Sequence, residues 1–169
     1  TLPELATNDV GVAIAWQIVQ ARIGSADQRA DARKELLARV APGGGGWQAP
    51  APWLEAWCRA GIGRSMIREE AADMKRLGVV ELLNVPARFG SAHPYLAGIA
   101  LAEASVTLRS MGDVDGSEVL ARELAALYPT HPVNDWAMIR AVAPAKPAGP
   151  VTKPAHAKEG ATSDGVSTR

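Results

Sequence analysis

Apolar residues recur at steps of three and four along most of the chain up to about residue 143, and the period stops there. Between 10 and 23, strict alternation fails at Ile14-Ala15-Trp16 and again at Ile18-Val19, which favours a helix. The many β-branched residues make a strand the competitor. Thr7, Asn8 and Asp9 supply capping side chains just before it. Gly24-Ser25 is a break, and Ser25 with Gln28 has capping-box spacing. A second helix follows over 26–40, with Ala30, Arg33, Leu37 and Val40 in step and Leu36 widening the apolar face. Pro42 stops it.

Residues 42–52 read as a loop, because four consecutive glycines lose too much entropy on ordering and three prolines keep the rest extended. Pro52 suits the first turn of a helix over 52–60, where Trp53 and Trp57 share a face. Gly61 and Gly63 are expected to end it. Ser65 then caps a helix over 66–77, and Gly78 stops that one. Residues 79–85 are a short helix or a strand, and 86–94 are irregular. The strongest helical pattern runs over 95–111 and turns at Gly112-Asp113. Asp115 and Glu118 have capping-box spacing for its partner over 117–128, which Pro129 ends. Asn134 is placed to cap a last short helix over 135–142.

The fold expected is mainly α: a small helical bundle or helical-hairpin, repeat-like domain over 1–143, with a disordered tail over 144–169. The tail is rich in Pro, Ala, Lys, Gly, Ser and Thr and has no apolar face. The 169 residues are 47% apolar, with five tryptophans and one phenylalanine. Leu, Val, Ile and Ala must therefore pack against the tryptophans, which suits close helices better than a sheet sandwich.

Eighteen basic and eighteen acidic residues cancel, so no global field gathers nucleic acid or anionic lipid. The tail carries +2, leaving about −2 on the body. Cys58 is alone, which excludes an internal disulfide and a cysteine metal quartet and fits a reducing compartment. No apolar run approaches a membrane span, and the apolar stretch near the start lacks the basic lead of a signal peptide. A cytoplasmic location is the expectation.

The segment 98–129 resembles a tetratricopeptide repeat. Leu101 stands at the large position opening the first helix, and Ala104 and Ser105 at the small pair one turn on. Leu108, Gly112-Asp113 at the turn, Ser117 early in the second helix and the closing Pro129 also match. Ala121 and Leu124 depart from the family pattern, and no second good copy stands at a 34-residue step. The resemblance implies a tightly crossed antiparallel helix pair and a role in protein binding.

Candidate chemistry is sparse. His93 and His131 flank the hairpin, each before a proline, and with Asp135 would make an acid–base or metal group if they converged; two loop histidines is the plainer reading. Cys58 has Arg59 and Arg64 near it in sequence, or is simply a small buried hydrophobe. Glu69, Glu70 and Asp73 read as the wet side of a helix. The run 61–65, with Arg64 and Arg68, would offer an anion site if it led into a helix N-terminus. The partner-binding candidates are Trp47, Trp53, Trp57 and Trp136, which are either an interface or the core.

No nucleophile–base pair, metal set or cofactor loop stands out, so no cofactor is implied and an enzyme is not expected. The leading expectation is a non-catalytic protein-interaction module or accessory subunit of a larger complex, binding another protein or its own copies. Alternatives are a nucleic-acid factor using 66–85 with Arg68, Lys75 and Arg76, and an enzyme using His93 and His131.

Overall fold

The computed structural model describes residues 10–41, 52–136, 138 and 139. Trp47, the 42–51 part of the expected loop and the expected tail over 144–169 lie outside them. Six helices run in order: α1 (Val10–Ile23), α2 (Ala26–Val40), α3 (Pro52–Ile67), α4 (Ala72–Phe89), α5 (Pro94–Ser110) and α6 (Val114–Leu127). A short 3-10 turn, Pro132–Asp135, follows. Among the described residues there is no strand, and no helix is long and apolar enough to cross a membrane.

Each helix packs antiparallel on the next. Arg29 and Arg33 of α2 reach Glu69, just past α3, while Leu36 Cδ1 stands 3.0 Å from where a Cβ on Gly61 would fall. Glu55 and Arg59 of α3 pair with Arg88 and Glu81 of α4 in the reverse order. Odd-numbered helices therefore run the same way. They also touch one another, α1 on α3 and α3 on α5, whereas the even-numbered helices make at most marginal contact among themselves. The result is three helical hairpins stacked in sequence, with α1, α3 and α5 side by side on one face.

The hairpins keep a common step. Helices α4 and α6 start at Ala72 and Val114, 42 residues apart. Ala21, Gly63 and Ser105 follow the same step, and all three are small and buried. Leu82 and Leu124, also 42 apart, are both fully buried in the second helices. This spacing is longer than the 34-residue step at which the sequence shows no second copy.

Several expected boundaries move. Gly61, Gly63 and Ser65 do not break or cap a helix; they lie buried inside α3. Gly78 does not stop one either, and α4 passes through it, through 79–85 and through Pro86. The cause is packing. A Cβ on Gly63 would stand 2.8 Å from Leu82 Cγ and 3.0 Å from the Gly78 carbonyl, and one on Gly78 would stand 2.7 Å from Ile67 Cγ2. These glycines let α3 and α4 touch backbone to backbone, a contact that offsets a helical penalty of about 1 kcal/mol each. The Ser65 hydroxyl instead donates to the Ile62 carbonyl within α3.

Other expectations hold. Ser25 and Gln28 form the capping box at the start of α2. Gly112 has a φ of 87°, the left-handed conformation its turn requires. Ser105 and Ser117 sit at the α5–α6 crossing, where the Ser105 hydroxyl donates to the Ser117 carbonyl at 2.8 Å. The α6 cap is Asp113 rather than the Asp115–Glu118 pair, because the helix begins earlier, at Val114, and the Asp113 carboxylate accepts from the Gly116 N–H. The expected last helix over 135–142 falls mostly outside the described residues, of which Met138 and Ile139 are helical; Asn134 lies inside the 3-10 turn, and its side-chain amide donates to the Tyr128 and Pro129 carbonyls.

Two apolar clusters make up the core. The larger joins α3 through α6 with Val133 and Ile139, and includes Leu82, Leu101 and Leu124. The smaller ties α1 and α2 to α3 through Ile14, Ala21, Leu36, Cys58 and Ile62.

Candidate partner-binding surface

The parallel run of α1, α3 and α5 decides what shares a face. Trp53, Trp57 and Arg64 of α3, with Arg68 just past its end, recur at steps of four and seven, which makes one stripe along the helix. Gly11, Ala15 and Arg22 recur in the same way on α1. Two clefts open along these stripes. One, of about 330 Å³, is lined by Gly11, Ala15 and Ile18 of α1 and by Trp53, Leu54 and Trp57 of α3. The other, of about 280 Å³, lies further along the same helices, with Arg22, Arg64, Arg68, Glu103, Val106 and Trp136 among its walls.

The first cleft is apolar. Trp53 is 53% exposed and Trp57 is 37% exposed, so neither ring fills the core. The second is basic. Arg64 is buried and its Nε donates to Glu103 at 2.7 Å, the contact that ties α3 to α5. Arg22 and Arg68 have no ion pair among the described residues. Three guanidinium groups thus face one carboxylate. Trp136 and Met138 of the segment after α6 close one side.

The three described tryptophan candidates therefore divide between the two clefts, Trp53 and Trp57 at one and Trp136 at the other. Sequence reasoning missed Arg22 altogether and read Arg64 and Arg68 as an anion site at a helix start. No helix starts there: Arg64 is within α3 and Arg68 just past its end. The signal was available in the spacing of Arg64 and Arg68 from Trp57, given a helix that continues through Gly61 and Gly63.

His131 has structural partners. The Val133 N–H donates to His131 Nδ1 at 3.1 Å, which leaves the proton on Nε2 to be donated to the Tyr95 carbonyl at 2.9 Å. The ring stacks on Tyr95 and lies against Gly98. Both nitrogens are thus used in fastening the segment after α6 to the start of α5, where His93 is the cap residue. Among the described residues no group of three His, Cys, Asp or Glu side chains could hold a metal. Cys58 is fully buried, and burial pushes its thiol up to about 11, against a smaller opposing effect of Arg39 and Arg59. It is a protonated core thiol at neutral pH.

Glu69 pairs with Arg29 and Arg33, and Asp73 with Arg76, while Glu70 is exposed. Beyond them, on the other side of α3, lies a tighter charge network. Burial alone would raise the Glu55 carboxyl, but Arg59 and Arg88 together hold it below its ordinary value. Burial likewise would lower the Arg59 guanidinium, and Glu55 and Glu81 outweigh it.

No family model, curated protein or solved structure matches this chain.

Proposed function

We propose that the chain is a non-catalytic protein-interaction module that holds an extended or helical segment of another protein along the face made by α1, α3 and α5. The observation that carries this reading is the alignment of the two clefts on one face, apolar at Trp53 and Trp57 and basic at Arg22, Arg64 and Arg68. Exposed tryptophan and arginine are the side chains that most often anchor interfaces. A partner segment with a large apolar residue, and one or more carboxylates about three turns of α3 away, complements both ends. The tetratricopeptide-like features of α5–α6 support the same reading: the small crossing residues, the glycine turn and the closing proline. An accessory or assembly subunit is the biological role that fits.

The test is selection from a displayed random-peptide library on the immobilised full chain. Acidic sequences with one aromatic or aliphatic anchor are expected to be enriched. Their binding should fall at least about tenfold in Trp57→Ala and in Arg22→Glu/Arg68→Glu, the loss of an interface anchor worth about 1.4 kcal/mol or more. Enriched peptides that bind these variants as well as the parent would contradict the reading.

A further inference from the structure

Arg64 is the buried charge in the wall of the basic cleft. Its side chain is 6% exposed, and its Nε donates to Glu103 at 2.7 Å. Among the described residues its two terminal amino groups have no hydrogen-bond partner. Donors left over on a buried guanidinium are costly unless something polar meets them. Arg22 and Arg68 line the same cleft, exposed and without an ion pair among the described residues. Glu103 answers one of the three guanidinium groups, so two positive charges in this cleft are uncompensated.

A single carboxylate answers half of that excess. Two carboxylates on separate side chains would have to share one cleft of about 280 Å³ and repel each other there. A phosphate monoester carries about −1.5 to −2 at neutral pH on three acceptor oxygens, and guanidinium forks pair with it bidentately. We infer that this cleft takes a phosphate monoester: the phosphorylated serine or threonine of a partner protein. The inference rests on the partner-binding reading of the α1, α3 and α5 face, and it names the residue held at the charged end.

The apolar cleft sets where that residue stands in the partner. Arg64 follows Trp53 by eleven residues of α3, about 16 Å along the helix axis. An extended segment covers this in about five residues, so a large apolar side chain and the phosphorylated residue stand about that far apart. A nucleic-acid backbone brings a charge with every nucleotide. The face offers its guanidinium groups at one end only, and the cleft at the other end is lined by Gly11, Ala15, Ile18, Trp53, Leu54 and Trp57.

Three bead-bound peptide pools test this. Each has one leucine, degenerate neighbours and, five positions away on either side, phosphoserine, glutamate or serine. The phosphoserine pool is expected to retain at least about tenfold more of the full chain than the glutamate pool. Arg22→Gln/Arg68→Gln, at two exposed positions, should remove that preference, whereas Trp57→Ala should lower retention on both pools and keep their ratio. Single-stranded oligothymidine should not displace the chain from the phosphoserine pool. Equal retention on the phosphoserine and glutamate pools would overturn the phosphate site and leave the partner-binding reading standing. A preference that survives Arg22→Gln/Arg68→Gln, or displacement by oligothymidine, would also overturn it. No retention on any pool would overturn both.

Discussion

At the α5–α6 end of the stack, the chain folds back after Pro129 and lays His131, Val133 and Ile139 against the helices, with Val133 2% and Ile139 3% exposed. At the α1 end, Val12, Val19 and Ile23 point outward at 40–57% exposure. Both ends belong to the same kind of hairpin. One is closed by its own chain, through backbone bonds from His131 and Asn134 that need no further partner. At the other, an apolar stripe of α1 faces outward among the described residues. A repeat-like helix array has no intrinsic end, so termination is a local property of a few side chains.

The largest expected effect comes from the cores behind the two ends. Leu101→Ala and Leu36→Ala each delete a fully buried side chain, and each should cost about 2–5 kcal/mol in urea unfolding. They should differ in kind. Leu101 lies in the large cluster and should lower stability throughout α3–α6. Leu36 lies in the small cluster and should raise amide exchange chiefly in α1 and α2. Equal exchange changes in both variants would show that the two regions unfold as one.

His131→Ala tests the closed end. It removes the acceptor for Val133 N–H and the donor to the Tyr95 carbonyl, and should cost about 1–3 kcal/mol with faster proteolysis after Pro129. A variant with parental stability would mean that the fold-back does not depend on this ring.

Glu55 gives the middle hairpin a pH signature. Its carboxyl titrates below its ordinary value when folded, so the unfolded chain binds the proton more readily. The stability it lends is complete above the ordinary carboxylate range and is lost as pH falls through the lowered value. Glu55→Gln should therefore lower the urea midpoint at neutral pH and much less in acid. A deficit equal at both would remove this group from the acid response.

Ser25→Ala makes the smallest change, opening the capping box of α2 at a cost of about 1 kcal/mol, read as a drop in thermal midpoint.

Much of this architecture was legible in residue patterns because the relevant interactions are local. The Ser25–Gln28 box, the Gly112 turn and the period of α1, α2, α5 and α6 depend on neighbours within one or two turns. The middle hairpin was misread for the converse reason. Gly61, Gly63 and Gly78 are helix breakers by propensity, and only the close approach of α3 to α4 makes them helix residues. The surface clefts were hidden by the same error. Once α3 is taken to end at Ala60, Arg64 and Arg68 no longer share a stripe with Trp53 and Trp57. Arg64 finds Glu103 across 39 positions, a separation no local pattern encodes. The 42-residue step is carried by small residues at Ala21, Gly63 and Ser105, whose one shared trait is size.

Two-dimensional amide spectra of the isotope-labelled chain, titrated with a peptide that carries a single leucine near a run of glutamates, test the central claim most directly. The predicted result is saturable shifts confined to α1, α3, α5 and Trp136, with the indole signals of Trp53 and Trp57 among the largest. Shifts that fall on α2, α4 and α6 instead, or no shifts at all, would contradict it.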